Sequence, residues 1–265
     1  MYTIIGKGFG LYGYLPAIIM NNSNLVLSNE YKFNIQKRKD INQYINKIKW
    51  TQNIEEAIDL SNNIILAIPP KEQFKFLHEN QTNIVNKTIF MEKPIAASPK
   101  EALILIKFLE EKKIKFYVNY SFIYLGWFKN LYNKINSLKS DTIVKISWEF
   151  KAHFLTTNFM NWKSDFELGG GILRFYGIHL IAVLTALNYE NCKIIKLKNN
   201  VETIVYKIIS SNKPIIKISI NIDSHIDKFA IKIFDDNIKK KEILVDIKDP
   251  FQRQKNRKSI QLDRR

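Results

Sequence analysis

Cys192 is the only cysteine among 265 residues, which excludes an intramolecular disulfide and fits a reducing cytoplasm. No long hydrophobic run of membrane-span length stands out. The N-terminus lacks the basic region and apolar stretch of a signal peptide, so no membrane partner is expected. No cluster with metal-ligand spacing is evident. Acidic residues are in short supply, 25 against 41 lysines and arginines, for a net charge of +16. That imbalance invites a nucleic-acid partner, but the lysines are scattered among many Ile and Asn residues. Only Lys239-Lys240-Lys241 and the tail from Arg253 to Arg265 cluster. Helix-turn-helix, zinc-finger and RNA-recognition signatures are missing, so no nucleic-acid partner is expected. A basic surface still helps attract a phosphorylated substrate.

Glycine is also scarce, nine in all, yet three fall in Tyr2-Thr-Ile-Ile-Gly6-Lys-Gly8-Phe9-Gly10. A short apolar run ends at Gly6 and a helix-like segment follows. Strand, glycine turn and helix in that order suit a dinucleotide. Gly6 permits a tight turn, Gly8 lets the backbone approach a pyrophosphate, and the helix start offers N–H groups. The third glycine of the usual Gly-x-Gly-x-x-Gly would be residue 11, which is Leu11. The bland alternative is a glycine turn joining any strand to any helix.

Apolar runs at Thr3–Ile5, Leu25–Leu27, Ile64–Ala67, Thr88–Met91 and Phe116–Val118 read as strands. Helical patterns alternate with them at about Leu11–Met20, Ile41–Ile48, Ile54–Leu60, Lys71–Glu79 and Pro99–Glu111. Ser98-Pro99 supplies an N-cap and a first-turn proline. Such alternation predicts a parallel α/β sheet over residues 1–119. Residues 120–265 follow another grammar: helices at Trp127–Leu138 and Ile172–Leu187, with a loop reaching Asp165 between strand Ile143–Phe150 and the second helix. Strand-like runs follow at Lys193–Leu197, Glu202–Ile209, Ile215–Ile222, Phe229–Phe234 and Glu242–Val245. Asn199-Asn200, Ser210-Ser211-Asn212 and Asp235-Asp236-Asn237 break them. The expected fold is therefore a doubly wound α/β domain plus an α+β domain with an open, mainly antiparallel sheet. Ile260–Arg265 reads as the start of an amphipathic helix, either a frayed tail or a truncated end.

Four further sites carry chemistry. Glu30, after the second strand, is placed to accept hydrogen bonds from ribose hydroxyls, or is a solvated loop residue; Lys32, Lys37, Arg38 and Lys39 nearby suit a 2′-phosphate. Pro69-Pro70 shapes a wall at a strand's carboxyl end, or simply ends the strand. Glu92-Lys93-Pro94 follows the next strand, where Lys93 can stabilise a developing alkoxide, or is a surface lysine. Gly169-Gly170-Gly171 opens the helix carrying Phe175, Tyr176 and His179. His179 is either a general base or a core histidine.

Taken together, Gly6-x-Gly8-Phe9-Gly10 with Leu15-Pro16-Ala17, Pro69-Pro70, Glu92-Lys93-Pro94, and Gly169-Gly-Gly171 with Gly177-Ile-His179 resemble the Gfo/Idh/MocA oxidoreductases over nearly the whole chain. The resemblance implies an N-terminal Rossmann domain binding NAD, with NADP left open, and a C-terminal domain for substrate binding and oligomerisation. It implies hydride transfer to or from a hydroxyl or ketone of a sugar or nucleotide-sugar, in a setting such as surface polysaccharide biosynthesis. A homodimer or homotetramer through the C-terminal sheet is expected. By the resemblance, Lys93 and His179 are catalytic and Gly6, Gly8, Phe9, Gly10, Glu30, Pro69, Pro70, Glu92 and Lys93 bind cofactor. Asn119, Tyr120, Trp162, Lys163 and Tyr176 contact substrate. The chain departs from the pattern where Phe175 stands in place of an aspartate, and Tyr14 and Gln73 in place of histidines. The family's last helix is expected to be missing. A member that binds cofactor or sugar without turnover is the alternative, motivated by Phe175.

Overall fold

The computed structural model describes residues 1–157, 161–235 and 240–252. Two compact units are present. Among the described residues, the first is Met1–Asn119 with Glu167–Gly169, and the second is Tyr120–Phe166 with 170–252.

The first unit runs β1 (Tyr2–Ile5), α1 (Leu15–Met20), β2 (Leu25–Ser28), α2 (Lys32–Gln36), α3 (Lys39–Asn42), β3 (Ile48–Thr51), α4 (Ile54–Asp59), β4 (Asn63–Leu66), α5 (Pro70–Glu79), β5 (Thr88–Met91), α6 (Pro99–Glu111) and β6 (Lys115–Val118). Its six strands are all parallel, in the order β3-β2-β1-β4-β5-β6. This is the doubly wound dinucleotide-binding order, with its reversal between β1 and β4. The central strands are nearly continuous apolar runs, as burial on both faces demands. Two cores result, one around Ile4, Leu15, Leu27 and Ile35, the other around Ile64, Leu66, Ile89 and Leu105.

Local chemistry sets the helix ends. The Ser98 hydroxyl accepts from the Glu101 N–H and the Glu101 carboxylate accepts from the Ser98 N–H, closing a capping box before Pro99. At the carbonyl end of α4, the Lys87 ammonium donates to the Ile58 carbonyl and to that of Ser61 just past the helix, each at 2.7 Å.

Two expectations are corrected here. The segment 41–48 is not one helix: α3 ends at Asn42, a 3-10 turn covers Ile45–Lys47, and an unpredicted edge strand, β3, begins at Ile48. The helix after the glycine turn opens with a π turn at Gly10–Tyr14, in which the Leu15 N–H donates to Gly10 O. Pro16 explains that opening, since its ring would crowd the carbonyl of residue 12 in a regular α turn.

The second unit runs α7 (Gly126–Ile135), β7 (Ile143–Lys151), α8 (His153–Thr157), α9 (Ile178–Ala186), β8 (Lys193–Asn199), β9 (Thr203–Ile209), β10 (Ile215–Asn221), β11 (Asp223–Asp235) and β12 (Lys240–Ile247). The sheet order is β12-β11-β7-β10-β9-β8. Only β7 and β10 pair in parallel; the other four pairings are antiparallel. Alternating side chains of β7 and β10 (Val144, Ile146, Trp148; Ile216, Ile218, Ile220) form a core with α7 and α9.

Helix α8 lies where a loop was expected, and a π turn at Ile172–Gly177 precedes α9. Residues 166–186 are apolar and long enough to cross a membrane by length and composition, contrary to the expectation of no such run. Ile172, Leu180 and Val183 of that stretch are buried in the second core. Asn200 makes its expected turn, its Oδ1 accepting from the N–H groups of Glu202 and Thr203. Asp236 and Asn237 of the third turn, Lys239, and the tail from Arg253 lie outside the described residues.

Candidate nucleotide-binding and active-site residues

Three glycines of the first loop do three different jobs. Gly6 has φ +130°, and a Cβ there would stand 2.3 Å from the Ala67 carbonyl oxygen. Only glycine permits that turn beside β4. A Cβ on Gly10 would stand 2.8 Å from the Ile4 side chain, so this glycine lets the helix start lie against β1. Gly10, not residue 11, thus supplies the close packing that the third glycine provides. A Cβ on Gly8 would meet nothing within 4 Å. The backbone at Gly8 therefore faces open space, as approach of a pyrophosphate requires, and the loop fits a dinucleotide. Phe9 is exposed and meets Tyr12 and Tyr14 edge-on, with ring centroids 5.4 and 5.3 Å away.

The loop is tied to the end of β2. The Gly6 N–H donates to the buried Tyr31 hydroxyl at 3.2 Å. Burial, with the Glu30 carboxylate adding to it, pushes the Tyr31 phenol up to about 12. Glu30 is exposed and lies 3.9 Å from the Lys7 ammonium, inside the glycine loop. Among the basic residues that suited a 2′-phosphate, Lys32 lies over Trp50, Lys37 over Phe33, and Arg38 pairs with Asp40 at 2.7 Å. Arg38 holds the Asp40 carboxyl below the usual carboxylate range.

At the carboxyl ends of β5 and β6 the structure brings Tyr14, Glu92 and Asn119 together. The Tyr14 hydroxyl donates to Glu92 Oε1, and the Asn119 amide donates to both Tyr14 Oη and Glu92 Oε1 at 2.8 Å. Burial first, then the neighbouring Glu92 charge, raises the Tyr14 phenol well above its ordinary value. Behind them, the buried Gln73 amide donates to the carbonyls of Glu92 and Pro94 at 3.0 and 3.1 Å, on either side of partly buried Lys93. Gln73 sits on the first turn of α5, which Pro69 and Pro70 start.

In the second unit the glycine run holds a loop rather than offering free N–H groups. The Gly170 N–H donates to Asp165 O at 2.7 Å and the Gly171 N–H to Lys163 O at 2.8 Å. A Cβ on Gly170 would stand 2.2 Å from the Trp162 carbonyl oxygen. The turn carrying Trp162 and Lys163 is thereby pressed onto the start of the helix. Trp162 meets Phe175 edge-on at 5.3 Å, Phe175 meets Tyr176 at 4.8 Å, and the Lys163 ammonium lies 5.4 Å from the Phe175 ring centroid. Burial raises the Tyr176 phenol to about 12 and lowers the Lys163 ammonium. His179 is 3% exposed and stacks on Phe122 at 4.6 Å, with Phe251 edge-on at 5.4 Å. Tyr120 precedes the short helix Ser121–Tyr124, and burial raises its phenol as well.

Residues 1–120 match the family model described as oxidoreductase family, NAD-binding Rossmann fold (Gfo/Idh/MocA). The match spans the whole of the first unit's parallel, Rossmann-ordered sheet. Glucose-6-phosphate 3-dehydrogenase of Bacillus subtilis is 29% identical over 139 residues, half of this chain and 38% of that relative's own length. The WlbA dehydrogenase of Thermus thermophilus, solved with NAD and UDP-GlcNAcA, superposes with a TM-score of 0.67 at 12% identity, covering 94% of this chain and 83% of its own. A super-repressor mutant of Gal80p from Saccharomyces cerevisiae superposes with a TM-score of 0.69 at 12% identity, covering 88% and 70%.

Set against the pattern of the matched family model, the departures at Tyr14 and Gln73 gain a physical reading. Both side chains hold the Glu92-Lys93-Pro94 turn, one through the Glu92 carboxylate and one through the backbone. Sequence reasoning registered them only as mismatches, because their partners lie 78 and about 20 residues away. Tyr31 and Lys7 escaped for the same reason.

Proposed function

We propose that the chain is a nicotinamide-dependent oxidoreductase acting on a hydroxyl or ketone of a sugar or nucleotide-sugar. The observation that carries this reading is the stapled turn. Glu92-Lys93-Pro94 stands at the carboxyl end of β5, held by Tyr14, Asn119 and Gln73, in the same Rossmann domain as a glycine loop whose Gly8 faces open space. In open α/β sheets ligands bind outside the carboxyl ends of the strands. The sugar dehydrogenases among the relatives support the substrate class.

NAD, when bound, supplies the hydride acceptor in the oxidation direction. The Gly6–Gly10 backbone would receive its pyrophosphate and Glu30 its ribose hydroxyls, beside Lys7. Lys93 donates to the reacting oxygen and stabilises the alkoxide character that develops there. His179 takes the hydroxyl proton as the C–H hydrogen leaves with its electron pair. Trp162, Lys163 and Tyr176 contact the sugar. A second copy of the chain joins through the second sheet.

The test is to purify the chain, measure NADH binding, and follow absorbance of the reduced nicotinamide against sugar and nucleotide-sugar panels. Lys93→Ala and His179→Ala are each expected to lower turnover at least 100-fold, the usual worth of a positioned acid–base group. Turnover that survives both changes rejects these roles. The second reading is a family member that binds without turnover, favoured by the aromatic Phe175 beside Trp162 and by the burial of His179. It gains if bound NADH never changes redox state across the panel.

A further inference from the structure

Phe175 sets the electrostatics of the Trp162-Lys163 turn. Where the family pattern has a carboxylate, the Lys163 ammonium meets the face of a phenyl ring at 5.4 Å. No carboxylate among the described residues comes within ion-pair distance of it. Asp165, two residues on, is exposed, and its backbone carbonyl serves the Gly170 N–H. A ring face attracts an ammonium more weakly than a carboxylate at ion-pair distance does. Drawing a charge partly out of water disfavours it unless an opposite charge or hydrogen bonds replace the lost hydration. The partly buried Lys163 charge is therefore incompletely compensated, in accord with the downward shift that burial gives it.

The backbone of the turn that carries Lys163 is held in place as well. The Lys163 N–H donates to Asn161 Oδ1 at 2.9 Å, its carbonyl accepts from Gly171, and only glycine fits at position 170. Trp162 closes one side of the Phe175 ring. A partly buried cation on a well-held turn, lying over one aromatic ring and with no carboxylate partner among the described residues, suits an anion attached to a ring-shaped, partly apolar ligand such as a sugar.

Resting on the reading that Trp162 and Lys163 contact the substrate, we propose that the substrate is an anionic sugar. A phosphate or carboxylate would pair with Lys163, and Phe175 would set the preference. An aspartate at 175 would neutralise Lys163 from within the protein and repel the same anion.

Calorimetric titration of the purified 265-residue chain, at fixed ionic strength and with and without NAD, tests this. The probes are glucose 6-phosphate, glucuronate and UDP-glucuronate, with glucose as the neutral reference. At least one anion is expected to bind roughly tenfold or more tightly than glucose, the discrimination that one charge-assisted hydrogen bond supplies. The preference is expected to vanish in Lys163→Met and Phe175→Asp and to persist in Lys163→Arg. Lys163→Met is expected to melt no lower than the unaltered protein, because it removes a poorly compensated charge; lost anion binding is then not lost folding. Equal binding of anions and glucose, binding of none of the anions, or a preference that survives Lys163→Met overturns the proposal. Failure to bind NAD while the anion preference holds would count against the oxidoreductase reading instead.

Discussion

Tyr14 shows how one side chain can serve both packing and chemistry. Its hydroxyl donates to Glu92 Oε1 and accepts from Asn119, and its raised pKa keeps the proton in place throughout the working range. A hydrogen bond to a charged group contributes about 1.5–3 kcal/mol. Tyr14→Phe is therefore expected to weaken NADH binding about tenfold, measured by nicotinamide fluorescence, while Tyr14→His, restoring a donor, recovers part of it. Equal affinity in Tyr14→Phe would remove Tyr14 from the site. Tyr31 offers a separate test through pH. Its phenol titrates at about 12 in the folded chain, against 10.0 when unconstrained. The folded state thus holds the proton more tightly, so its contribution is complete below pH 10 and is lost between about 10 and 12. Thermal melts across that window should fall less steeply in Tyr31→Phe than in the unaltered protein.

At the scale of elements, helix ends carry measurable stability. The Lys87 ammonium caps the carbonyl end of α4 with two 2.7 Å hydrogen bonds. Lys87→Met is expected to cost about 1–2 kcal/mol in chemical denaturation, from lost hydrogen bonds and lost charge at a helix C-terminus. Legibility in the sequence also divides along elements. Strands β1, β2, β4 and β5 were readable because parallel, doubly buried strands are short apolar runs bounded by turns. Strand β3 was not, since Ile48-Lys49-Trp50-Thr51 is an edge strand whose Lys49 breaks the run. The first half of β11 was hidden in the same way, Asp223–Lys228 being largely exposed and polar apart from Ile226. Capping signals at Ser98-Pro99 located α6 to the residue. The π turns before α1 and α9 leave no mark in hydrophobic periodicity. In the site, the glycines and Glu92-Lys93-Pro94 were visible as local patterns. Tyr14, Gln73 and Tyr31 were not, because each acts through a partner brought near only by the sheet.

For the whole molecule, two surfaces remain to be accounted for: the glycine loop and the second sheet's edge. Edge strand β8 leaves Ile194 62% and Leu197 50% exposed, more apolar edge than an isolated sheet usually tolerates. Light scattering is expected to give a dimer or tetramer, and Ile194→Lys to shift it towards monomer; a monomeric unaltered protein contradicts that expectation. The central claim is nearer the N-terminus, that Gly6–Gly10 receives a nicotinamide dinucleotide. Gly8→Ala isolates it, because the added methyl meets nothing within 4 Å beyond its own chain neighbours and so spares the fold. In a titration with NADH, the unaltered chain should bind saturably, and Gly8→Ala should bind at least tenfold more weakly with an unchanged melting temperature. No saturable binding of NADH or NADPH by the unaltered chain, or equal binding by the two proteins, would contradict the account.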